Sequence, residues 1–215
     1  MDFLEGKNVL VFDLETTGFP AKIPKKMGKE EYYPPSELKA YQTARIVQIA
    51  WSFIENFSRD KIDPEEITSI IRKPKDFGSI PTSKIHGITF AQARAEGKNL
   101  SKILNDEGFG WVIMNAEVLV AHNCLFDLHI LASECFRLGF TGYVEKLKGI
   151  LDSSSYFCTG EVGRAVCKVP CFSPFHTFKM PRLGELYKFM YGKEPEEVHK
   201  AEADVKTLLL ILLKL

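Results

Sequence analysis

The sequence has no net charge, no disulfide framework and no apolar stretch long enough to cross a bilayer. Its 28 basic and 28 acidic residues cancel, so any contact with nucleic acid must come from local patches rather than an overall positive field. The five cysteines are odd in number and irregularly spaced, which favours a reducing compartment. Residues 208–213 are apolar but too few to span a membrane, and acids near the N-terminus argue against a signal peptide. We therefore expect a soluble intracellular protein, in the cytoplasm or the nucleus.

Length and composition indicate one globular domain. Hydrophobic residues make up 45% of the 215 residues and charged residues 26%, which are ordinary values for globular proteins. A chain of this length can bury a substantial core. Since no repeat, low-complexity tract or linker interrupts it, we expect residues 1–215 to form a single domain.

Residues 9–18, with the sequence VLVFDLETTG, carry the first candidate site. The apolar run 9–12 lies between turn-forming residues and predicts a buried strand. Asp13 and Glu15 are two residues apart near its end, so in a strand both carboxylates point to the same side. Adjacent carboxylates repel each other unless a cation lies between them, and hard oxygen ligands suit magnesium or manganese. Taken alone, such a pair is more often a loop acid and a solvated glutamate.

The other apolar patterns predict further strands and helices. The additional predicted strands are at residues 45–57, within 61–72, at 117–121 and at 148–151. One predicted helix begins at Phe90, and three others cover about 125–138, 182–191 and 201–213. Thr89 is suited to cap the first of these helices. A tight turn at 58–60 is expected to join the second and third strands as an antiparallel hairpin.

Two more acids and a histidine follow in order. Asp127 falls in the first turn of the helix after strand 117–121, and Asp204 opens the last predicted helix, five residues after His199. Each has a plain alternative, because an acid at a helix start offsets the helix dipole and a His–Asp pair there is common. The ordered series DLETTG, AHNCLFD and HKAEAD is more specific than any one of its parts.

In this order the chain resembles the DEDDh 3′→5′ exonucleases, the family that includes polymerase proofreading subunits and ribonuclease T. The matching residues are Asp13, Glu15, Asp127, His199 and Asp204. In the tyrosine subclass of that superfamily, a tyrosine stands four residues before the last aspartate. Here Lys200 has that position and His199 precedes it, which matches the histidine subclass.

The resemblance implies an α/β, RNase H-like fold with a five-stranded mixed sheet flanked by helices. It implies an enzyme that releases nucleoside 5′-monophosphates from 3′ ends with two Mg²⁺ or Mn²⁺ ions, which neutralise the attacking and leaving oxygens. In that scheme Asp13 bridges both ions, and Asp127 holds the second largely through water. Glu15 and Asp204 would complete the first ion, and His199 would be the general base for the attacking water.

By the same resemblance, a further set of residues is expected around the terminal nucleotide. The backbone amides after the DLE acids would approach it directly, and the other members would lie near its base and sugar. The set is Thr16, Thr17, Gly18, Phe19, Ile85, His86, His122, Asn123 and Phe126. Core packing is the alternative role for Ile85 and Phe126.

The motifs leave the substrate open. DNA with single-stranded or frayed 3′ ends, as in proofreading or repair, is the leading expectation, and a 3′→5′ exoribonuclease is the alternative. A non-catalytic nucleic-acid-binding relative would be expected to have lost an acid, and none is missing. Association with a polymerase or with a second copy of the chain is compatible with the resemblance.

Two segments, at about 19–44 and 159–178, are expected to be insertions relative to compact family members. The first carries Lys22 and further lysines at 25, 26 and 29, which fit a solvated loop as well as a phosphate contact. The second places Cys167, Cys171 and His176 after Cys158. That spacing suits zinc poorly, and ordinary thiols are the alternative.

Overall fold

The central strand of the fold is β1, Val9–Thr16, and it carries Asp13 and Glu15 toward its carboxyl end. The structure is a computed structural model that describes residues 2–24, 30–171, 177–197 and 199–215. Strand β1 pairs antiparallel with β4, Ile46–Ile54, and parallel with β6, Val118–Ala121. With β5, Thr68–Ile71, and β7, Tyr156–Cys158, they form a five-stranded mixed sheet in the order β5-β4-β1-β6-β7. The predicted fold class is confirmed.

Helices and a small ribbon complete the described part of the chain. Strands β2, Lys22–Pro24, and β3, Glu30–Tyr32, pair antiparallel as a separate ribbon. The helices are α1 Ser83–His86, α2 Phe90–Glu96, α3 Leu100–Asn105, α4 Phe109–Asn115, α5 Cys124–Arg137, α6 Thr141–Ser153, α7 Thr159–Cys167, α8 Leu183–Tyr191 and α9 Ala201–Lys214. None of them is long and apolar enough to cross a membrane.

The sheet separates two layers of core, because side chains of a strand alternate between its faces. Leu10, Phe12 and Leu14 pack with the layer formed by α3, α4, α5 and α6. Val9 and Val11 point the other way, into the layer of α9. All five side chains are buried, so β1 is covered on both faces. The residues of odd number therefore lead toward α9, and Asp13 and Glu15 continue that series.

Two of the predicted elements are wrong. Residues 148–151 belong to α6 rather than to the last strand, since Val144, Leu147 and Ile150 recur at helical spacing and pack on the core of α3 to α5. The last strand is β7 instead. The connection expected at 58–60 is longer and contains a 3-10 turn, because Ile62 packs into the α9 layer before β5 begins. The predicted antiparallel pairing of β4 with β5 is confirmed.

The remaining predicted elements agree with the structure within a few residues. Thr89 caps α2 as expected, since its side-chain oxygen accepts a hydrogen bond of 3.1 Å from the backbone N–H of Gln92. Gly139 follows α5 with a φ of 72°, a left-handed conformation that glycine adopts without strain.

A buried ion cluster fixes β4, β5 and α5 to one another. The Glu134 carboxylate, on α5, accepts hydrogen bonds from Arg45 Nε at 2.7 Å and from Arg72 Nη1 at 2.5 Å. Asp76 pairs with both arginines from the surface side. Burial raises the pKa of Glu134, but the two guanidinium groups lower it by more. The cluster therefore holds balanced charges in the interior.

We predict that Glu134→Ala lowers the free energy of unfolding by about 3–5 kcal/mol, because it leaves Arg45 and Arg72 buried with one acid between them. Chemical denaturation measures the loss. The control is Glu145→Ala, at an exposed position of α6, which is expected to change the free energy by less than about 0.5 kcal/mol. Equal small effects of both substitutions would contradict the prediction.

Candidate active site

The acidic residues meet at one edge of the sheet. Strands β1 and β6 run parallel, so their carboxyl ends lie at the same edge. Helix α5 begins at Cys124, directly after β6, and this places Asp127 in its first turn beside the end of β1. Helix α9 crosses the opposite face of β1 and brings Asp204 to the same edge.

Three of the carboxylates form a compact group. Asp13 and Glu15 extend the odd-numbered face of β1 toward α9, as the alternation of a strand requires. Asp204 lies three residues after Ala201, which is buried against that face. One carboxylate oxygen from each of the three acids lies within 4.8 Å of the others.

Asp127 approaches the group from the other layer. Its side chain is 2% exposed, and its charge acts on that of Asp13. Burial raises the pKa of Asp127 well above the ordinary value, although hydrogen bonds from its own backbone and that of Leu14 lower it. The structure thus places all four predicted acids at one edge of the sheet. Three of them form the compact group, and Asp127 lies beside it.

Burial and mutual repulsion together disfavour ionisation of the acids. Burial, followed by the charge of Asp204, raises the pKa of Glu15 to about 7. Burial and then the charges of Asp127, Asp204 and Glu15 raise the pKa of Asp13 well above its usual range. In the described part of the chain, none of the four acids forms an ion pair with lysine or arginine.

These donors fit a divalent cation. Oxygen ligands from several carboxylates are what magnesium and manganese prefer, and a cation would offset the repulsion that raises the pKa values. Outside this group, no other set of three metal-ligating side chains comes together among the described residues.

His199 lies at the entrance of the site. It is exposed, two residues before α9, and its φ of 61° is in the left-handed region that residues other than glycine seldom adopt. Burial raises the pKa of Asp204 to about 6, although the charge and a backbone hydrogen bond of His199 lower it. His199 therefore lies beside the carboxylate group and remains open to solvent.

The structure adds Gln48, which the sequence analysis missed. Gln48 is opposite Glu15 in the β1–β4 register and is 9% exposed. Its Oε1 accepts a hydrogen bond of 3.3 Å from the backbone N–H of Ala201, and its Nε2 donates one of 2.9 Å to Ser69. Gln48 thus ties the start of α9, and with it Asp204, to the sheet. Its one sign in the sequence was a polar amide side chain within an otherwise apolar predicted strand.

The residues after the acids form a tight turn. The Thr16 hydroxyl donates to the Gly18 carbonyl at 2.8 Å, and the Thr17 hydroxyl donates to the Thr43 carbonyl at 2.9 Å. A Cβ on Gly18 would lie 2.9 Å from the same Thr43 oxygen, so glycine is required by close packing. Backbone groups of the turn are engaged as well, since the Thr17 N–H donates to the Arg45 carbonyl at 2.9 Å and the Thr16 carbonyl accepts from the Thr82 hydroxyl.

Three predicted contact residues present apolar surface. Phe19 is 77% exposed, and its ring lies 5.7 Å from that of Phe126, centroid to centroid. Ile85, on α1, is 56% exposed. Core packing is therefore not the main role of Phe19 or Ile85, whereas Phe126 is half-buried and also packs on the core.

The other predicted contact residues tie elements together. His86 is buried, and its Nε2 lies 2.9 Å from the Thr82 hydroxyl, which donates to the Thr16 carbonyl. His122 Nε2 donates to the Pro181 carbonyl at 2.9 Å. Burial lowers the pKa of both histidines. Asn123 is exposed in the left-handed turn before α5.

The zinc alternative gains no support among the described residues. Cys158, Cys167 and Cys171 do not form a group of three metal ligands. His176 and the lysines at 25, 26 and 29 lie outside the described residues.

Fold and site together define a class: an α/β protein whose central strand ends in a compact group of carboxylates. The chain belongs to the exonuclease family, since the family model RNase_T, described as exonuclease, matches residues 10–212. Among curated protein sequences, none matches the chain.

Solved structures of E. coli exonuclease I share the fold. A complex with a dT13 oligonucleotide is 20% identical with a TM-score of 0.66, over 96% of this chain and 40% of that one. The zinc-bound complex with single-stranded DNA is 19% identical with a TM-score of 0.63, over 97% and 40%. This chain thus spans about 40% of the length of the exonuclease I chains it matches.

We predict that Asp204→Asn stabilises the metal-free protein at pH 8 by about 1–2 kcal/mol. The pKa values of Glu15, about 7, and Asp204, about 6, are raised in the folded state. Burial raises both values, and the charge of Asp204 adds to the shift of Glu15. The cost of charging these acids is therefore absent at low pH, when they are protonated, and develops as the pH rises through these values. Denaturation in a chelator at pH 5.5 and 8 measures the gain.

The difference in stability between the wild type and Asp204→Asn reports on the acids alone, because the buried histidines titrate in both proteins and their effect cancels. The variant's advantage is expected to shrink at pH 5.5, and added magnesium is expected to stabilise only the wild type at pH 8. The control is Asp152→Asn, at an exposed position of α6. A variant that is less stable than the wild type at pH 8 would contradict the repulsion argument.

Proposed function

We propose that this protein is a metal-dependent 3′→5′ exonuclease that hydrolyses phosphodiester bonds and releases nucleoside 5′-monophosphates. The observation that carries the proposal is the group of Asp13, Glu15 and Asp204 within 4.8 Å, with Asp127 beside it. Membership of the exonuclease family supports it. A phosphodiester is itself anionic, so its hydrolysis needs positive charge at the reacting oxygens.

Two divalent ions, magnesium or manganese, would supply that charge when bound, and the four acids would hold them. Asp13, central among the acids, is suited to contact both ions. Glu15 and Asp204 share one group with it, whereas Asp127 comes from the other layer and is suited to the second ion. The raised pKa values indicate that these ligands must lose protons when metal binds.

His199 is proposed as the general base. It lies beside Asp204, is open to solvent, and precedes α9 on a segment whose backbone leaves the helical conformation. A neutral imidazole there can accept a proton from the attacking water. Asp204, Gln48 and the start of α9 set the position of the histidine.

The substrate is proposed to be DNA with a single-stranded or frayed 3′ end. Support comes from the similar E. coli exonuclease I structures, which hold single-stranded DNA or oligonucleotides. The exposed ring of Phe19, next to Phe126, offers a surface for the terminal base, and Ile85 lies on the adjacent α1. Roles in proofreading or repair, with a polymerase or a second copy as partner, remain predictions.

The extent of the unit is also a proposal. Residues 1–215 are proposed to form one exonuclease domain, in which the segments at about 19–44 and 159–178 are additions to the common core. The first includes the β2–β3 ribbon and the second includes α7.

Hydrolysis of end-labelled oligonucleotides tests the activity. We predict that the wild type shortens single-stranded DNA from its 3′ end with magnesium or manganese, and that a chelator or Asp13→Ala abolishes this, since water cannot replace a carboxylate shared by two ions. Asp152→Ala is the matched control and is expected to keep full activity. Full activity of the Asp13→Ala protein would remove the metal-site assignment. RNA shortened faster than DNA would favour the exoribonuclease alternative.

We predict that His199→Ala lowers the single-turnover rate about a hundred- to ten-thousandfold, the usual contribution of a positioned base. Metal binding, followed by calorimetry, is expected to survive because the four acids remain. Both proteins are compared at one pH with saturating metal, because metal binding itself strengthens as Glu15, with a pKa of about 7, loses its proton. A variant with a normal rate would show that solvent acts as the base.

A further inference from the structure

A basic cleft lies beside the helices that follow β5. It has a volume of about 430 Å³ and is lined by Lys73, Pro74, Lys75, Phe77, Phe90 and Arg94. Three of the six residues are cations, two are aromatic and none is acidic. On a chain with no net charge, this is a local excess of positive charge.

The positive charges of the cleft are not neutralised by ion pairs within the described part of the chain. Among the described residues, Lys73, Lys75 and Arg94 form no ion pair. The nearby acid Asp76 is already paired with Arg45 and Arg72 of the buried ion cluster. An anion in the cleft would therefore meet uncompensated charge.

The floor of the cleft is joined to its surroundings by backbone and ring contacts. The Lys73 backbone N–H donates to the Lys98 carbonyl at 2.8 Å, which fixes the segment after β5 against the end of α2. The Phe77 ring is held by the guanidinium groups of Arg45 and Arg72, at 5.4 and 5.3 Å from its centroid. The cationic side chains thus extend from a fixed backbone.

The cleft is connected to the candidate active site through α1 and α2. The Thr82 hydroxyl donates to the Thr16 carbonyl at 2.5 Å, which anchors the start of α1 at the end of β1. Phe90 is four positions after His86, so the wall of the cleft lies within about 14 Å of α1. A strand bound at the site has to extend only a few nucleotides to reach it.

We propose that this cleft binds the phosphodiester backbone of the substrate strand, upstream of its 3′ end. The inference rests on the proposed function, because the strand is the one whose end lies at the acids. Lys73, Lys75 and Arg94 contact phosphates without reading bases, so they add affinity for long strands and none for very short ones.

The test is oligonucleotide binding by the triple variant Lys73→Gln, Lys75→Gln, Arg94→Gln. The control is Arg59→Gln, Lys146→Gln, Lys214→Gln, which removes the same charge from the 3-10 turn, α6 and the end of α9. Fluorescence anisotropy in chelator compares an oligothymidylate of roughly 15 nucleotides with a trinucleotide, between about 50 and 200 mM salt. Melting temperatures verify that both variants fold.

The triple variant is expected to bind the long strand about tenfold more weakly at low salt. The slope of log affinity against log salt should fall by about 2, or about 0.7 for each lost phosphate contact. Trinucleotide binding should stay unchanged, and the control should match the wild type. A slope equal to that of the control, or an equal loss for both lengths, would overturn the cleft proposal.

Hydrolysis separates this proposal from the proposed function. If the triple variant shows the expected loss of long-strand binding and of salt slope but the wild type shortens no 3′ end, the cleft is kept and the nuclease is removed. A wild type that shortens 3′ ends, with the triple variant binding like the control, would remove the cleft alone.

Discussion

The cost of ionising half-buried carboxylates that also repel one another, at the end of β1, is the constraint on which the site depends. Asp13, Glu15 and Asp204 lie within 4.8 Å, and no lysine or arginine of the described chain pairs with them. The hydrophobic layers on each side of β1 hold the acids together, because the free energy gained by burying these layers is far larger than the repulsion between the acids. Such an arrangement is costly in the metal-free protein and becomes favourable when divalent cations bind.

The chain treats its two buried charge clusters in opposite ways. Around Glu134, arginines from two other segments supply balancing charge, so the cluster fixes β4, β5 and α5 in place. At the end of β1, by contrast, no lysine or arginine of the described chain balances the acids. Balanced buried charge positions elements, whereas unbalanced charge of one sign creates affinity for a ligand of the other sign.

Several groups near the acids act by holding elements rather than by facing a ligand. His122 links the end of β6 to the segment before α8, and His86 and Thr82 link α1 to β1. Gln48 links the sheet to α9. These bonds reduce the freedom of the elements that carry Asp127, Ile85 and Asp204, so the site is preorganised by its surroundings.

The sequence by itself determined what local periodicity decides. Alternation along β1 places Asp13 and Glu15 on one side, and helical spacing places Asp204 on the buried face of α9. Only tertiary structure decided the rest. Residues 148–151 form helix because Leu147 and Ile150 have a core to pack on, and Gln48 matters because Ala201 lies opposite it. These outcomes depend on partners far along the chain, and a local pattern of residues contains no information about which distant backbone will lie beside it.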